Sequence, residues 1–252
     1  MTFDVAADAY DRFMGKYSTR LASPLVDFVG VEPGQTALDV GCGPGALTGE
    51  LVRRLGDYAV AAVDPSEPFV AAARARYPGV EVRRASAEEL PYGDATFDAA
   101  FAQLVVHFMS DPVRGLAEMA RVTRPGGIVA ASVWDFAGER APLSPFWRAA
   151  RELDPDAVDE SRLAGARRGH LTSLFTEAGL QAVAEEEVSA SFDYTAFDEW
   201  WEPYTLGVGP AGTYARGLSA DRLAALRERC RSLLPQGPFT LTVAAWAARG
   251  LV

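Results

Sequence analysis

Short apolar runs alternate with amphipathic stretches along the first half of this chain, and each period holds for only a few turns. Runs at about 36–40, 58–63, 80–84, 97–102 and 127–134 have the length and apolar density of buried strands. The stretches 45–55, 67–77 and 111–123 between them read as helices; Leu47, Leu51, Val52 and Leu55 show the spacing in the first. This alternation predicts a parallel sheet with right-handed crossovers. Upstream, residues 4–29 read as one or two helices with Phe13, Leu21, Leu25, Val26 and Phe28 at apolar positions, and Pro33-Gly34 makes a turn before the first strand.

After Trp134 the rhythm breaks. Residues 136–169 are rich in Pro, Ala, Arg and Asp, with a helix expected around 145–153. HLTSLFTEAGL resumes as a helix closing at Gly179, with His170 at its opening and without an assigned role. QAVAEEEVSASF reads as a sixth strand. A second irregular stretch, 195–234, carries Trp200, Trp201, Tyr204 and Tyr214 and an amphipathic helix at 220–234, and FTLTVAAWAA is a final strand. The organisation expected is one domain over 1–252. Its core lies at about 35–135, and a cap is formed by 1–30, 136–169 and 195–234. Ligands of open α/β sheets bind outside the carboxyl ends of the strands, so a substrate belongs between those ends and the cap.

The run at 37–46, Ala-Leu-Asp-Val-Gly-Cys-Gly-Pro-Gly-Ala, is the most informative. A buried strand ends in a glycine turn that opens a helix, which makes a nucleotide-type cofactor site. Gly41-x-Gly43-x-x-Ala46 satisfies the dinucleotide pattern, and Asp64 follows 23 positions after Gly41. Asp39, two residues before the first glycine, discriminates between cofactors. A carboxylate there repels a pyrophosphate at the helix N-terminus but partners an ammonium group. S-adenosylmethionine carries an ammonium, a sulfonium and a ribose diol, and no phosphate.

LDVGCGPG resembles motif I of the class I S-adenosylmethionine-dependent methyltransferases. VAAVDPSEPFVAAARARYP resembles that family's second strand and helix, VRRASAEELPYGDATFDAAFAQLVVHFM its third and fourth strands, and LAEMARVTRPGGIVAASVW the helix and fifth strand that close the core. YDRFMGKYSTRLA and FTLTVAAWAARG are similar to the ends of its small-molecule branch. The resemblance implies a Rossmann-like, doubly wound α/β fold, with a seven-stranded, mostly parallel sheet whose last strand is antiparallel. It also implies methyl transfer from S-adenosyl-L-methionine to a small-molecule acceptor.

Under that resemblance the cofactor residues are Asp39 and the turn Gly41, Cys42 and Gly43 at the methionine end. Asp64 takes the ribose hydroxyls, flanked by Pro65 and Ser66. Ser86, Ala87 and Glu88 form the adenine corner, with a serine where many relatives have an aspartate. Gln103 and Leu104 lie beneath the transferring methyl. Tyr17 and Arg20 close over the cofactor carboxylate, which suits an arginine fork. His107 is the candidate general base. Trp134, Phe136, Trp200, Trp201 and Tyr204, with Trp147, are the candidate substrate wall.

Composition narrows the classes. Hydrophobic residues make 49% and charged residues 23% of the 252, ordinary for a globular protein. The formal net charge of −10 argues against a nucleic-acid substrate. No run approaches a membrane span, and MTFDVAADAYDR lacks a signal pattern, so a cytoplasmic protein is expected. Lys16 is the only lysine, which excludes a Tyr-x-x-x-Lys pair and weakens the alternative of a nicotinamide-dependent oxidoreductase. Cys42 and Cys230 support neither a disulfide framework nor a zinc site. A non-catalytic S-adenosylmethionine-binding protein is the other alternative. The sequence leaves the acceptor atom, the substrate and the oligomeric state open.

Overall fold

The structure is a computed structural model that describes residues 7–252, with the side chains of Ala7 and Ala9 left aside; residues 4–6 of the expected N-terminal helix lie outside it. Seven strands form one sheet: β1 (Ala37–Val40), β2 (Val60–Asp64), β3 (Glu81–Arg84), β4 (Phe97–Gln103), β5 (Thr123–Trp134), β6 (Gln181–Tyr194) and β7 (Phe239–Leu251). Their spatial order is β3-β2-β1-β4-β5-β7-β6. The first five run parallel, and β7 is antiparallel to both neighbours. The expected doubly wound fold is therefore present, last strand included.

Ten α-helices are described: α1 (Ala7–Tyr10), α2 (Lys16–Val29), α3 (Ala46–Leu55), α4 (Glu67–Arg76), α5 (Pro112–Val122), α6 (Ser144–Leu153), α7 (His170–Glu177), α8 (Phe197–Trp201), α9 (Gly209–Arg216) and α10 (Ala220–Leu233). A π-helical turn, Asp11–Gly15, joins α1 to α2. Strand alternation divides the core into two faces. Ala37, Val60, Ala62 and Phe101 pack with Leu21 and Leu25 of α2, Leu47 and Leu51 of α3, and Val70 of α4. Leu38, Val40, Val63, Ala100 and Ala102 pack with Leu116 and Met119 of α5 and Leu171 and Phe175 of α7. Each central strand is buried on both sides, which is why it reads as an apolar run rather than as an alternation.

Element boundaries differ from expectation where turn chemistry intervenes. The strand expected at 127–134 begins at Thr123, which pairs with Phe97 before an irregular step, with Gly126 at φ +76°, and regular pairing resumes at Ile128. The stretch expected to start a strand at 58 opens instead with a 3-10 turn, Asp57–Ala59, after Gly56. Asp111 caps α5 by accepting from the Arg114 N–H at 3.0 Å, so the helix starts one residue later than its pattern. The irregular stretch 195–234 contains two further short helices, α8 and α9, besides the expected one. Among the described residues, no helix is long and apolar enough to cross a membrane.

The chain turns from β1 to β2 to β3 and then returns across β1 to β4, so β1 and β4 flank the switch point of the sheet. The π turn and segments 136–169 and 195–234 meet over the carboxyl ends of the strands through rings. Phe13 packs edge-on to Tyr204 at 5.5 Å, Tyr204 stacks on Phe146 at 5.1 Å, and Trp147 meets Tyr214 at 5.6 Å.

Candidate active site

At that switch point the strand ends surround a cavity of about 270 Å³. Each strand contributes its following turn: Gly41 and Gly43 after β1, Asp64, Pro65 and Ser66 at the end of β2, Ser86, Ala87 and Glu88 after β3, and Leu104 and Val105 after β4. Of the cofactor residues expected from the sequence, these nine, Val105 apart, line it. Tyr10, Phe69, Phe108, Met109 and Ser110 complete the wall.

The glycine turn is held by backbone bonds. The N–H groups of Gly41 and Cys42 both donate to the Val63 carbonyl, at 2.8 and 3.0 Å. Gly41 has φ +74°, and a Cβ there would stand 2.5 Å from a Val105 methyl, so this position requires glycine on both counts. Asp64 accepts from the N–H groups of Gly43, at 2.9 Å, and Ser66, at 2.8 Å. Burial raises its pKa, and those two backbone bonds work in the opposite direction. Each carboxylate oxygen so engaged keeps acceptor capacity for a ligand hydroxyl.

Asp39 and Gln103 lie one step deeper, in a narrow recess of about 20 Å³ that also touches Ser18, Cys42 and Tyr10. Asp39 accepts from the Thr48 hydroxyl at 2.6 Å. Burial pushes its pKa up to about 7, the Thr48 bond lowers it, and the nearby Asp64 adds to the rise. Gln103 donates through Nε2 to the Ser18 carbonyl at 2.9 Å, while its buried Oε1 has no partner. Cys42 is buried, its thiol is raised well above the usual range by desolvation, and its Sγ lies 3.4 Å from the Gly43 carbonyl. Arg76 latches the π turn over the glycine turn, pairing with Asp11 at 2.6 Å and donating to the Pro44 carbonyl at 3.0 Å. Glu88 is tied to the start of α5, its Oε1 accepting from the Ser110 N–H at 2.8 Å.

Leu104 has φ +60°, a left-handed backbone that is rare outside glycine, and its N–H donates to the Ser132 carbonyl at 2.8 Å. It separates the large cavity from a smaller one of about 30 Å³ that it also lines. The smaller cavity is walled by Phe13, Met14, Phe108, Trp134, Phe136 and Leu143, with Tyr10, His107 and Glu160. His107 reaches it, but burial pushes its pKa down to about 3 and its Nδ1 has no partner. The imidazole is therefore neutral and a poor proton acceptor. Trp134 and Phe136 face this space as expected of a substrate wall.

Six expected residues stand elsewhere; one of them, Trp147, lines a separate cleft and donates its indole N–H to Glu160 at 2.8 Å. Tyr17 and Arg20 face β6, not the cavities: the Tyr17 hydroxyl meets that of Tyr194, its ring packs on Phe192 at 4.7 Å, and Arg20 donates to the Ser191 carbonyl. They lie on the helix face opposite Ser18, which does reach the site. Trp200, Trp201 and Tyr204 sit behind the wall, where Trp200 packs at 4.7 Å against Tyr204, whose hydroxyl donates to the Pro142 carbonyl at 3.0 Å. Rings this large are buried by their own packing before they can line a small space. The sequence reading missed Tyr10, Phe69, Phe108 and Glu160. Glu160 lies in DPDAVDESRL, which has no period, and nothing in that stretch marks one acid among four.

The sequence pattern of a methyltransferase domain matches residues 38–131. A 37.1 kDa protein encoded in a transposon of Streptomyces fradiae is 30% identical over 215 residues, 75% of this chain and 62% of that protein. An uncharacterised methyltransferase of Mycobacterium tuberculosis is 35% identical over 140 residues, 56% of this chain and 54% of its own length. The chain thus spans little more than half the length of these relatives. The crystal structure of the YcgJ protein of Bacillus subtilis superposes with a TM-score of 0.60 at 19% identity, covering 92% of this chain and 97% of that one, a likeness of fold.

Proposed function

We propose that this chain is a class I S-adenosylmethionine-dependent methyltransferase that transfers a methyl group from S-adenosylmethionine to a small-molecule acceptor, a reading supported by the methyltransferase-domain pattern over residues 38–131. The observation that carries this reading is the charge of the site. Asp64 and Glu88 line the large cavity and Asp11 and Asp39 the recess beside it, while no lysine or arginine lines either. A pyrophosphate would meet Asp64, Glu88 and Asp39 without a cation lining either space among the described residues, Asp11 being already paired with Arg76. A cofactor with an ammonium and a ribose diol meets Asp39 and Gln103 for the first and Asp64 for the second. The donor set therefore fits S-adenosylmethionine and disfavours a nicotinamide dinucleotide.

In this reading Asp64 takes the ribose hydroxyls, with Pro65 and Ser66 beside them. Ser86, Ala87 and Glu88 take the adenine, and the turn Gly41–Gly43 with Asp39 and Gln103 takes the methionine end. The unpartnered Gln103 Oε1 is free to accept from the ammonium. Segments 7–30, 136–169 and 195–234 act as the cap. The cofactor supplies an electrophilic methyl whose transfer is a direct displacement at carbon. Leu104 and Phe108, which border both cavities, position the acceptor in line, and the aromatic wall excludes water. The acidic charge and the small acceptor space suit a small molecule in a cytoplasmic setting.

Calorimetric titration with S-adenosylmethionine, S-adenosylhomocysteine and NAD, on wild type and Asp64→Ala, tests this. Binding of the first two, weakened about thirtyfold or more in the variant, is expected from two charge-assisted bonds of about 1–3 kcal/mol each. Binding of NAD alone would overturn it. Turnover of a methyl acceptor then separates an enzyme from a binding protein.

A further inference from the structure

Among the described residues Glu160 is the one acid on an otherwise aromatic and aliphatic wall of the small cavity, and none of them lining that space is an arginine or lysine. It is 4% exposed, and among the described residues its hydrogen-bond donor is the Trp147 indole, whose Nε1–H reaches Oε2 at 2.8 Å. It also borders a second cleft of about 10 Å³, shared with Phe136 and lined by Glu139, Ser144, Trp147, Arg151, Asp159 and Ser161. The cation in that cleft is already spoken for: Arg151 pairs with Asp159 and, at 2.6 Å, with Glu139. Glu160 has no ion pair among the described residues. A buried carboxylate without a counter-charge is costly, and a cation entering beside it would offset that cost. The faces of Trp134, Phe136 and Phe108 favour a cation beside it.

We propose that Glu160 docks the nitrogen of the methyl acceptor and takes its proton, so that the acceptor is an amine. The proposal rests on the methyltransferase reading above. The amine enters as an ammonium against the Glu160 carboxylate, and one N–H proton passes to the carboxylate oxygen. The freed nitrogen lone pair forms the new bond to the methyl carbon. The carbon–sulfur bond breaks with its electron pair moving to sulfur, so the sulfonium becomes a thioether and the nitrogen carries the positive charge. The proton on Glu160 leaves to solvent by way of the outer cleft. Burial, which holds the Glu160 pKa up at about 7, keeps the protonated intermediate accessible at neutral pH. Neutral His107 does not compete for that proton. Trp147 is a positioning residue that fixes Oε2.

The test uses three probes with one alkyl chain and three heads: propylamine, propanol and propionate, titrated by calorimetry into full-length protein saturated with S-adenosylhomocysteine. Propylamine is expected to bind at least tenfold more tightly than the other two. Glu160→Gln should abolish that preference while leaving S-adenosylhomocysteine affinity within about twofold. Equal affinities, a preference for propionate, no uptake of propylamine, or a preference that survives in Glu160→Gln would each overturn the proposal. Should Glu160→Gln fail to fold, the ranking of the three probes on wild type decides alone. Failure of S-adenosylhomocysteine itself to bind would instead sink the underlying reading, so the two failures are distinguishable.

Discussion

Gly41, Gly43, Asp64, Ser66, Ser86 and Ala87 face the large cavity, whereas Phe13, Trp134, Phe136 and Glu160 face the small one across Leu104, which with Phe108 borders both. The first wall is mostly turn backbone and short side chains from one stretch, 41–110, with Tyr10 joining from outside it. The second is rings from the π turn, β4–α5, the end of β5 and two distant insertions. A wall of backbone turns is set by φ and by bonds between neighbours in sequence. A wall of rings exists only when the insertions pack. The two walls should therefore fail differently: substitutions in the first change ligand affinity more than stability, and substitutions behind the second do the reverse.

Trp200→Ala breaks the second wall from behind and has the largest expected effect. Trp200 is 1% exposed, packs on Tyr204 and Phe197, and sends its Nε1–H to the Pro142 carbonyl at 3.4 Å. Its removal should cost about 3–5 kcal/mol in denaturant unfolding. Affinity for S-adenosylhomocysteine, measured well below the melting temperature, should stay within a few fold. Asp64→Ala is the counterpart, with its thirtyfold loss of affinity and a smaller loss of stability. A Trp200→Ala protein with unchanged melting and a lost cofactor would show that the division between the walls is false.

That division also explains how much was legible in the sequence. The glycine turn, Asp64 and the adenine corner lie at strand ends, and a strand end is marked by where an apolar run stops. The sheet order and the nine residues of the large cavity follow from that rule. Residues of the small cavity carry no such mark. Tyr17 and Ser18 are adjacent on α2, yet a helical step of about 100° sends one to β6 and the other to the recess. The π turn changes the phase just before them, which sequence spacing does not reveal. Trp200, Trp201 and Tyr204 are aromatic enough to suggest a wall but large enough to be buried behind it, and only three-dimensional packing separates the two fates.

Acids sharpen the comparison, because each cavity holds one whose pKa is raised to about 7, Asp39 beside the first and Glu160 in the second. An unfolded carboxyl ionises near pH 4, so between about pH 4 and 7 the folded chain binds more protons than the unfolded one. Stability should fall as pH rises through that window. Asp39→Asn removes one of the two contributions, so the variant should lose less stability than wild type between pH 5 and pH 6.5, by on the order of 2 kcal/mol. Urea midpoints at the two values measure it, and an unchanged slope would show that Asp39 ionises freely. An ammonium docked beside Asp39 favours its carboxylate. Binding of S-adenosylmethionine at pH 6.5 should thus release protons from wild type, read as a binding enthalpy that depends on the buffer, and release fewer from Asp39→Asn.

Tyr204→Phe is the mildest change and the finest test of the second wall. It removes the hydroxyl that donates to the buried Pro142 carbonyl at 3.0 Å and leaves the ring contacts in place: Phe13 at 5.5 Å, Phe146 at 5.1 Å, Trp200 at 4.7 Å and Trp201 at 6.3 Å. The carbonyl keeps the Trp200 indole as a donor at 3.4 Å, so no acceptor is orphaned. A loss of about 1 kcal/mol is expected, the net worth of one neutral hydrogen bond, with affinity for S-adenosylhomocysteine unchanged. If rings alone hold this wall, the variant melts as wild type does. A loss approaching that of Trp200→Ala would mean that the Pro142 carbonyl, and with it the loop from β5 to α6, depends on this hydroxyl for its course. The wall would then be governed by backbone after all, like the one across Leu104.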